Sequence, residues 1–228
     1  MRAERGKESN LHRIQESPLP ELELGDQYEV ERELGEGCFA RIILANHRQT
    51  DTSVVLKMIH TELTTLKDFH REFHYSYHLS PHPNILCSYP VAFKAADCWV
   101  FAQEYAPLGD LSGVVRAGGV PENSCKKVAR QLSSALEFMH SKQLVHRDIK
   151  LENILVFAPD LSTVKLCDFG ETRKEDSSSP LHTPQTSHPV SGLSPRPASQ
   201  LSTQSHTREV ITCGSRVVSQ AVVCSAAS

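Results

Sequence analysis

The run His146-Arg147-Asp148-Ile149-Lys150-Leu151-Glu152-Asn153 gathers a carboxylate, an ammonium and a carboxamide within eight residues. Asp148 can accept the proton of an attacking hydroxyl, Lys150 can neutralise a phosphate, and Asn153 can hold a metal ion. Asp168, in Asp168-Phe169-Gly170, adds a hard carboxylate of the kind Mg²⁺ prefers. These are the parts of a phosphoryl-transfer site.

Two features upstream point the same way. In "ELGEGCFARIILA", Gly35, Gly37 and Ala40 fill the three positions of G-x-G-x-x-G, with Ile42 two residues beyond. Strand-like sequence flanks the motif on both sides. A dinucleotide-binding fingerprint would lead from strand into helix, so that reading is disfavoured. A hairpin whose backbone lies over phosphates fits better, because glycine lets the main chain approach oxygen atoms. A plain glycine-rich turn is the alternative for the loop on its own. Lys57 stands inside the apolar run "SVVLKMI", where an ammonium is costly without a carboxylate partner or an anionic ligand. Glu72, on the next predicted helix, is the candidate partner, while Glu62 on the same helix is too near in sequence to face Lys57. A solvent-facing lysine is the alternative there.

The elements that must position these groups are legible as alternating segments between about residues 26 and 174. "YEVERELG", "ARIILANH", "SVVLKMIH" and "CWVFAQEYA" read as strands. One helix interrupts them, "TELTTLKDFHREFHYSYHLS", with Leu63, Leu66, Phe69, Phe73 and Tyr77 forming an apolar face. A second helix is predicted from about Glu122 to Ser141, with Val128, Leu132, Ala135, Leu136 and Met139 on one stripe. Two short strands, "NILVF" and "TVKLC", follow, joined by the turn "APDLS".

On either side the composition changes. Residues 1–25 form a polar leader expected to be loose, with Ser17-Pro18 and Pro20. Residues 175–228 are dominated by Ser, Thr, Pro and Gln, and such a stretch buries too little apolar surface to offset ordering entropy, so disorder is expected. The formal charge of −3 and pI near 6.5 disfavour nucleic acid as a partner. No apolar window suits a signal peptide or a membrane span. The seven scattered cysteines contain no CxxC pair, which suits free thiols in a reducing, cytoplasmic setting.

Glycine loop, strand lysine, helix glutamate, HRDxKxxN and DFG in this order and spacing resemble the first half of a eukaryotic protein kinase, from about Tyr28 to Gly170. Lys150, two residues after Asp148, resembles Ser/Thr-specific members. "VFAQEYAPLGDL", "LSPHPNIL" and "QLVHRDIK" look closest to the Src-homology-three-domain-binding kinases. The resemblance implies an α+β fold, with a five-stranded antiparallel lobe carrying one helix, then an incomplete helical lobe and a disordered tail. It implies that Leu34, Gly35, Glu36, Gly37, Cys38, Phe39, Ala40 and Ile42 cover ATP with Val55 beside them. It further implies that Lys57 contacts the α/β-phosphates and pairs with Glu72, and that Gln103 is the gatekeeper. Glu104 to Ala106 would be the adenine-binding hinge, Asp148 the catalytic base with Lys150 beside it, and Asn153 and Asp168 the Mg²⁺ ligands. A protein hydroxyl would be the substrate.

Some positions depart from the family pattern. Ala40 replaces the third glycine, Val55 stands where Ala is commoner, and Leu151 stands where Pro is common; none of these removes a chemical group. No A-P-E follows Gly170, and the tail lacks the periodicity of the helices that would bind a peptide. The expectation is a chain truncated after DFG that transfers phosphate poorly, with a non-catalytic ATP-binding or regulatory role as the alternative. The stripe on the Glu122–Ser141 helix is then expected to lie partly in water.

Three further signals remain. His70, His74 and His78 at i, i+4, i+8 share one helix face and suit either a Zn²⁺ site or a solvated or interface surface. Ser179-Pro180, Thr183-Pro184 and Ser194-Pro195 could be substrates of proline-directed kinases, although such pairs also arise by composition alone. The tail holds no P-x-x-P segment for a Src-homology-three domain.

Overall fold

The structure is a computed structural model that describes residues 11–116 and 119–175. The tail expectations, including its three Ser/Thr-Pro pairs, lie outside the described residues. The described chain forms two layers of structure around a cleft.

The upper part is a five-stranded antiparallel sheet. Its strands are β1 (Tyr28–Glu36), β2 (Ala40–His47), β3 (Thr52–His60), β4 (Ser88–Ala95) and β5 (Cys98–Gln103), in the order β1-β2-β3-β5-β4. The β-branched runs that read as strands form β2 and β3, whose alternate residues Ile43, Ala45, Val54, Leu56 and Met58 fill one core cluster. β4 was not apparent in the sequence because Pro90 interrupts its pattern. It is tolerated because β4 is an edge strand, and the register shifts between Ser88 and Ala92.

Helix α1 (Leu66–Leu79) packs on this sheet. It starts later than its sequence suggests, because the Thr65 side chain accepts a hydrogen bond from Asp68 N and caps it there. Glu62 therefore lies in the preceding turn rather than on the helix. The expected apolar face is also rotated. Leu63 and Tyr77 are exposed, whereas Phe69, His70, Glu72, Tyr75, Ser76 and Leu79 are buried. The helix is covered from more than one side, so polar residues are enclosed along with apolar ones.

One of those covers is the leader. Its described part is not loose. Leu11 is buried beside Tyr75 and Leu79, with Ile14 packed on the same cluster; Leu19 packs on Phe69 and Phe101, and Leu22 and Leu24 pack on the sheet cluster. A single turn of helix, Leu24–Gln27, then leads into β1.

Below the cleft lie α2 (Leu111–Arg116), α3 (Glu122–Ser141), the pairs β6 (Leu144–Val145) with β9 (Arg173–Lys174), and the hairpin β7 (Ile154–Val156) with β8 (Val164–Leu166). The stripe expected to lie partly in water is dry. Val128, Leu132, Ala135, Leu136 and Met139 are all buried in one cluster with Leu144, Ile154, Val156, Leu161, Val164 and Leu166. The hairpin covers the stripe. Gln131 fixes the two together, accepting from Val164 N at 2.9 Å and donating to Leu161 O at 3.0 Å. No helix among the described residues is long and apolar enough to cross a membrane.

Candidate active site

Between the two layers is a cleft of about 470 Å³. Leu34 and Gly35 of β1, Ile42 of β2 and Val55 of β3 line it from above. Lys57, also on β3, stands at its back, and Gln103, Glu104 and Ala106 line the crossing between layers. Asn153 and Asp168 line it from below. A Cβ built at Gly35 would meet no atom within 4 Å, so packing does not require glycine there.

Glu36, Gly37, Cys38, Phe39 and Ala40 form the turn beyond the lining residues, closed by a hydrogen bond from Gly37 N to Ala40 O of 2.9 Å. Phe39, 62% exposed, projects from its tip, and Cys38 is exposed beside it.

Lys57 Nζ donates to Glu72 Oε1 at 2.5 Å and to Asp168 Oδ1 at 3.2 Å. Burial works against its charge, but the two carboxylates outweigh that and hold the ammonium above its ordinary range. Burial likewise opposes the Asp168 carboxylate, and Lys57 reverses the balance, so Asp168 titrates below its usual range. Burial pushes Glu72 up. Asp168 adopts φ 64°, a left-handed conformation uncommon outside glycine, as does Arg147 at φ 73°. Such strained residues persist where the surrounding structure over-determines them.

Residues of the run 146–153 are joined by their own bonds. Asn153 Nδ2 donates to Asp148 Oδ2 at 2.9 Å and to Asp148 O at 2.8 Å, and Lys150 Nζ lies 2.6 Å from Asp148 Oδ2. His146 anchors the loop from below. Its Nε2 donates to Cys167 O at 3.0 Å and its Nδ1 accepts from Asp148 N at 3.3 Å, which fixes the neutral tautomer. Burial holds the imidazole below its ordinary pKa, in keeping with that tautomer. Phe169 is fully buried, edge-on to His146 with ring centroids 5.2 Å apart. β9 then pairs with β6, so the chain after Gly170 runs back beside the strand that precedes the loop.

Asn153 uses its Nδ2 on Asp148 and Asp168 uses Oδ1 on Lys57, which leaves one oxygen of each side chain available to a cation. Among the described residues no group of three or more His, Cys, Asp and Glu could hold a metal. A cation here would complete its shell with phosphate and water, as Mg²⁺ commonly does. The histidine face of α1 is used otherwise: His70 Nε2 and His74 Nε2 each lie 2.8 Å from a backbone carbonyl, those of Ser17 and Leu11, and His78 Nδ1 lies 2.8 Å from His74 O.

Several lining residues were missed in the sequence. Leu155 enters the cleft because strand alternation sends Ile154 and Val156 into the core and Leu155 the other way. Asp110 lines the cleft while accepting from Gly113 N at 3.0 Å at the start of α2. Arg32 joins β1 to the crossing by a 2.8 Å bond to the Tyr105 hydroxyl. Glu104 is fixed by Cys87 N and Lys165 Nζ, each at 2.6 Å. Cys167 also lines the cleft, and burial, with Asp168 adding to it, pushes its thiol up to about 12, which disfavours the reactive thiolate.

The family model of the protein kinase domain matches residues 28–192. The chain belongs to the protein kinase family. It is 57% identical over 165 residues to the serine/threonine-protein kinase meng-po of Drosophila melanogaster, a match covering 72% of this chain and 36% of that one. It is 45% identical over 160 residues to the serine/threonine-protein kinase SBK1 of Danio rerio, covering 70% and 42%. With SBK1 of Mus musculus the identity is 46% over 148 residues, covering 64% and 36%. These relatives agree with the Src-homology-three-domain-binding group suggested by the motifs. The chain spans less than half the length of each of them.

Proposed function

We propose that this kinase domain binds Mg·ATP in the cleft and transfers the γ-phosphoryl group to serine or threonine hydroxyls of a protein. The observation that carries the reading is that Lys57, Asn153 and Asp168 line one cleft, with Lys57 paired to Glu72 and Asp168 and with Asn153 bonded to Asp148, which Lys150 joins.

Each residue has a role that follows from its surroundings. Leu34, Val55 and Leu155 offer an apolar slot for a flat base, and Glu104 to Ala106 offer backbone groups along its edge. Lys57, kept charged by two carboxylates, neutralises phosphate oxygens. Asp148 is oriented by Asn153 and accepts the proton of the incoming hydroxyl, and Lys150 offsets charge on the transferred group. Asn153 and Asp168 would hold Mg²⁺, which supplies charge neutralisation at the phosphates. Catalysis of this kind is mainly positioning and electrostatics.

The test is a radiolabelled-ATP assay against a degenerate peptide library, paired with calorimetric titration of Mg·ATP. Nucleotide binding that depends on Lys57 and Asp168, with transfer abolished in Asp148→Asn, is the expected result. Binding without transfer would favour the non-catalytic reading, and equal ATP affinity in wild type, Lys57→Ala and Asp168→Ala would overturn both.

A further inference from the structure

Glu72 reaches Lys57 only because α1 lies in a particular place. A helix of 14 residues is marginal by itself, so packing against its surroundings holds it there. At 3.6 residues per turn, positions two before and two after a residue lie near the opposite side of a helix. His70 and His74 are those positions for Glu72. While Glu72 faces the site, both imidazoles face the leader.

The contacts there are specific. His70 Nε2 and His74 Nε2 lie 2.8 Å from Ser17 O and Leu11 O. A carbonyl can only accept, so in each case the ring nitrogen donates. Leu11, 6% exposed, and Leu19 bury apolar side chains in two different core clusters on either side of the helix. The far end of the segment is fixed to the sheet rather than to α1, by Lys94 N to Pro20 O at 2.8 Å and Leu22 N to Lys94 O at 2.9 Å. The segment is therefore anchored at the sheet edge, crosses the back of α1, and ends in the lower core.

We propose that residues 11–22 form a strap that presses α1 toward the cleft, and that His70 and His74 are positioning residues which, through α1, keep Glu72 on Lys57. The helix cannot withdraw from the cleft without breaking both imidazole bonds or lifting Leu11 out of the core. The strap thus couples a segment preceding the region of family similarity to the lysine–glutamate pair. The consequence for nucleotide rests on the reading given above; the positioning of α1 does not.

Hydrogen-exchange mass spectrometry on the full chain tests it. In a His70→Ala/His74→Ala variant, amides of residues 66–79 should exchange at least tenfold faster while β2, β3 and β5 keep their protection. His70→Gln/His74→Gln, which retains a donor at similar reach, should restore most of that protection. Calorimetry supplies the second arm: the alanine pair should weaken Mg·ATP several-fold in wild type, yet add nothing in a Glu72→Gln background, because both act through one contact. Unchanged exchange in α1, equal acceleration in sheet and helix, a glutamine pair no better than alanine, or fully additive losses of affinity would each overturn the proposal. If the wild-type chain binds no nucleotide, the functional reading falls and the exchange arm alone decides the strap.

Discussion

Lys57 and Glu72 share a contact of 2.5 Å between strand and helix, and their side chains are only 12% and 10% exposed. Neither charge has much water to fall back on. Removing one partner of such a pair typically costs about 3–5 kcal/mol, because the other is left buried and uncompensated. Lys57→Met is expected to lower the urea unfolding free energy by an amount in that range, and Lys57→Met/Glu72→Gln should recover a substantial part of it. A double variant no more stable than the single one would contradict this account of the pair.

The alternation across β7 separates a cleft-lining position from a core position one residue away. Leu155 lines the cleft, whereas Ile154 is 1% exposed in the core. Ile154→Ala should destabilise by about 2–5 kcal/mol. Leu155→Ala should cost much less stability and weaken ATP several-fold. Denaturation curves and nucleotide titrations on the two variants check the assignment.

Among the described residues two buried hydroxyls have no hydrogen-bond partner, Ser76 Oγ on α1 and Thr172 Oγ1 just after DFG. Ser76 is 1% exposed and Thr172 is 0% exposed. An unsatisfied buried hydroxyl costs about 1–3 kcal/mol. Ser76→Ala and Thr172→Val are therefore expected to be neutral or stabilising, with each kcal/mol gained raising Tm by about 2–4 °C. A loss of Tm in both, measured by calorimetry, would mean that the hydroxyls are satisfied after all.

The strap should be sensitive to acid. Burial lowers the His74 pKa from its reference of 6.5, its bond to Leu11 O works the other way, and the neighbouring His78 and His12 oppose its charge further. His78 lies tilted against it with ring centroids 4.1 Å apart, and Tyr75 meets it edge-on. With the folded value below the unfolded one, the unfolded chain takes up the proton first. The stabilisation is complete above about pH 6.5 and is lost as pH falls through the folded value. Tm should drop between pH 7.5 and 5.5, and His74→Gln should flatten part of that drop. His82 and His146, also held down by burial, keep the remainder.

Much of the site was legible because its chemistry is carried by residues close in sequence or by a charge in an apolar run. Lys57 stands out on the second ground, Glu72 follows as its partner on the next helix, and the α3 stripe gave both the helix's limits and its buried face. What covers that face was not legible. Gln131 and the β7–β8 hairpin do so through contacts more than 20 residues apart, which periodicity along one segment does not report. β4 was obscured by Pro90. Leu155 and Asp110 belong to the cleft through the direction of a side chain and the start of a helix, and neither carries a sequence motif. The leader misled for a simpler reason: its polar residues outnumber Leu11, Ile14, Leu19, Leu22 and Leu24, and those five are the ones that pack.

That segment also separates two definitions of a domain that are often treated as one. The family model begins at residue 28, but the packing of the core does not respect that border. A fragment started there would lack a side chain from every one of the three core clusters at once. Among the described residues, the unit that packs together begins earlier than the unit that the family model matches.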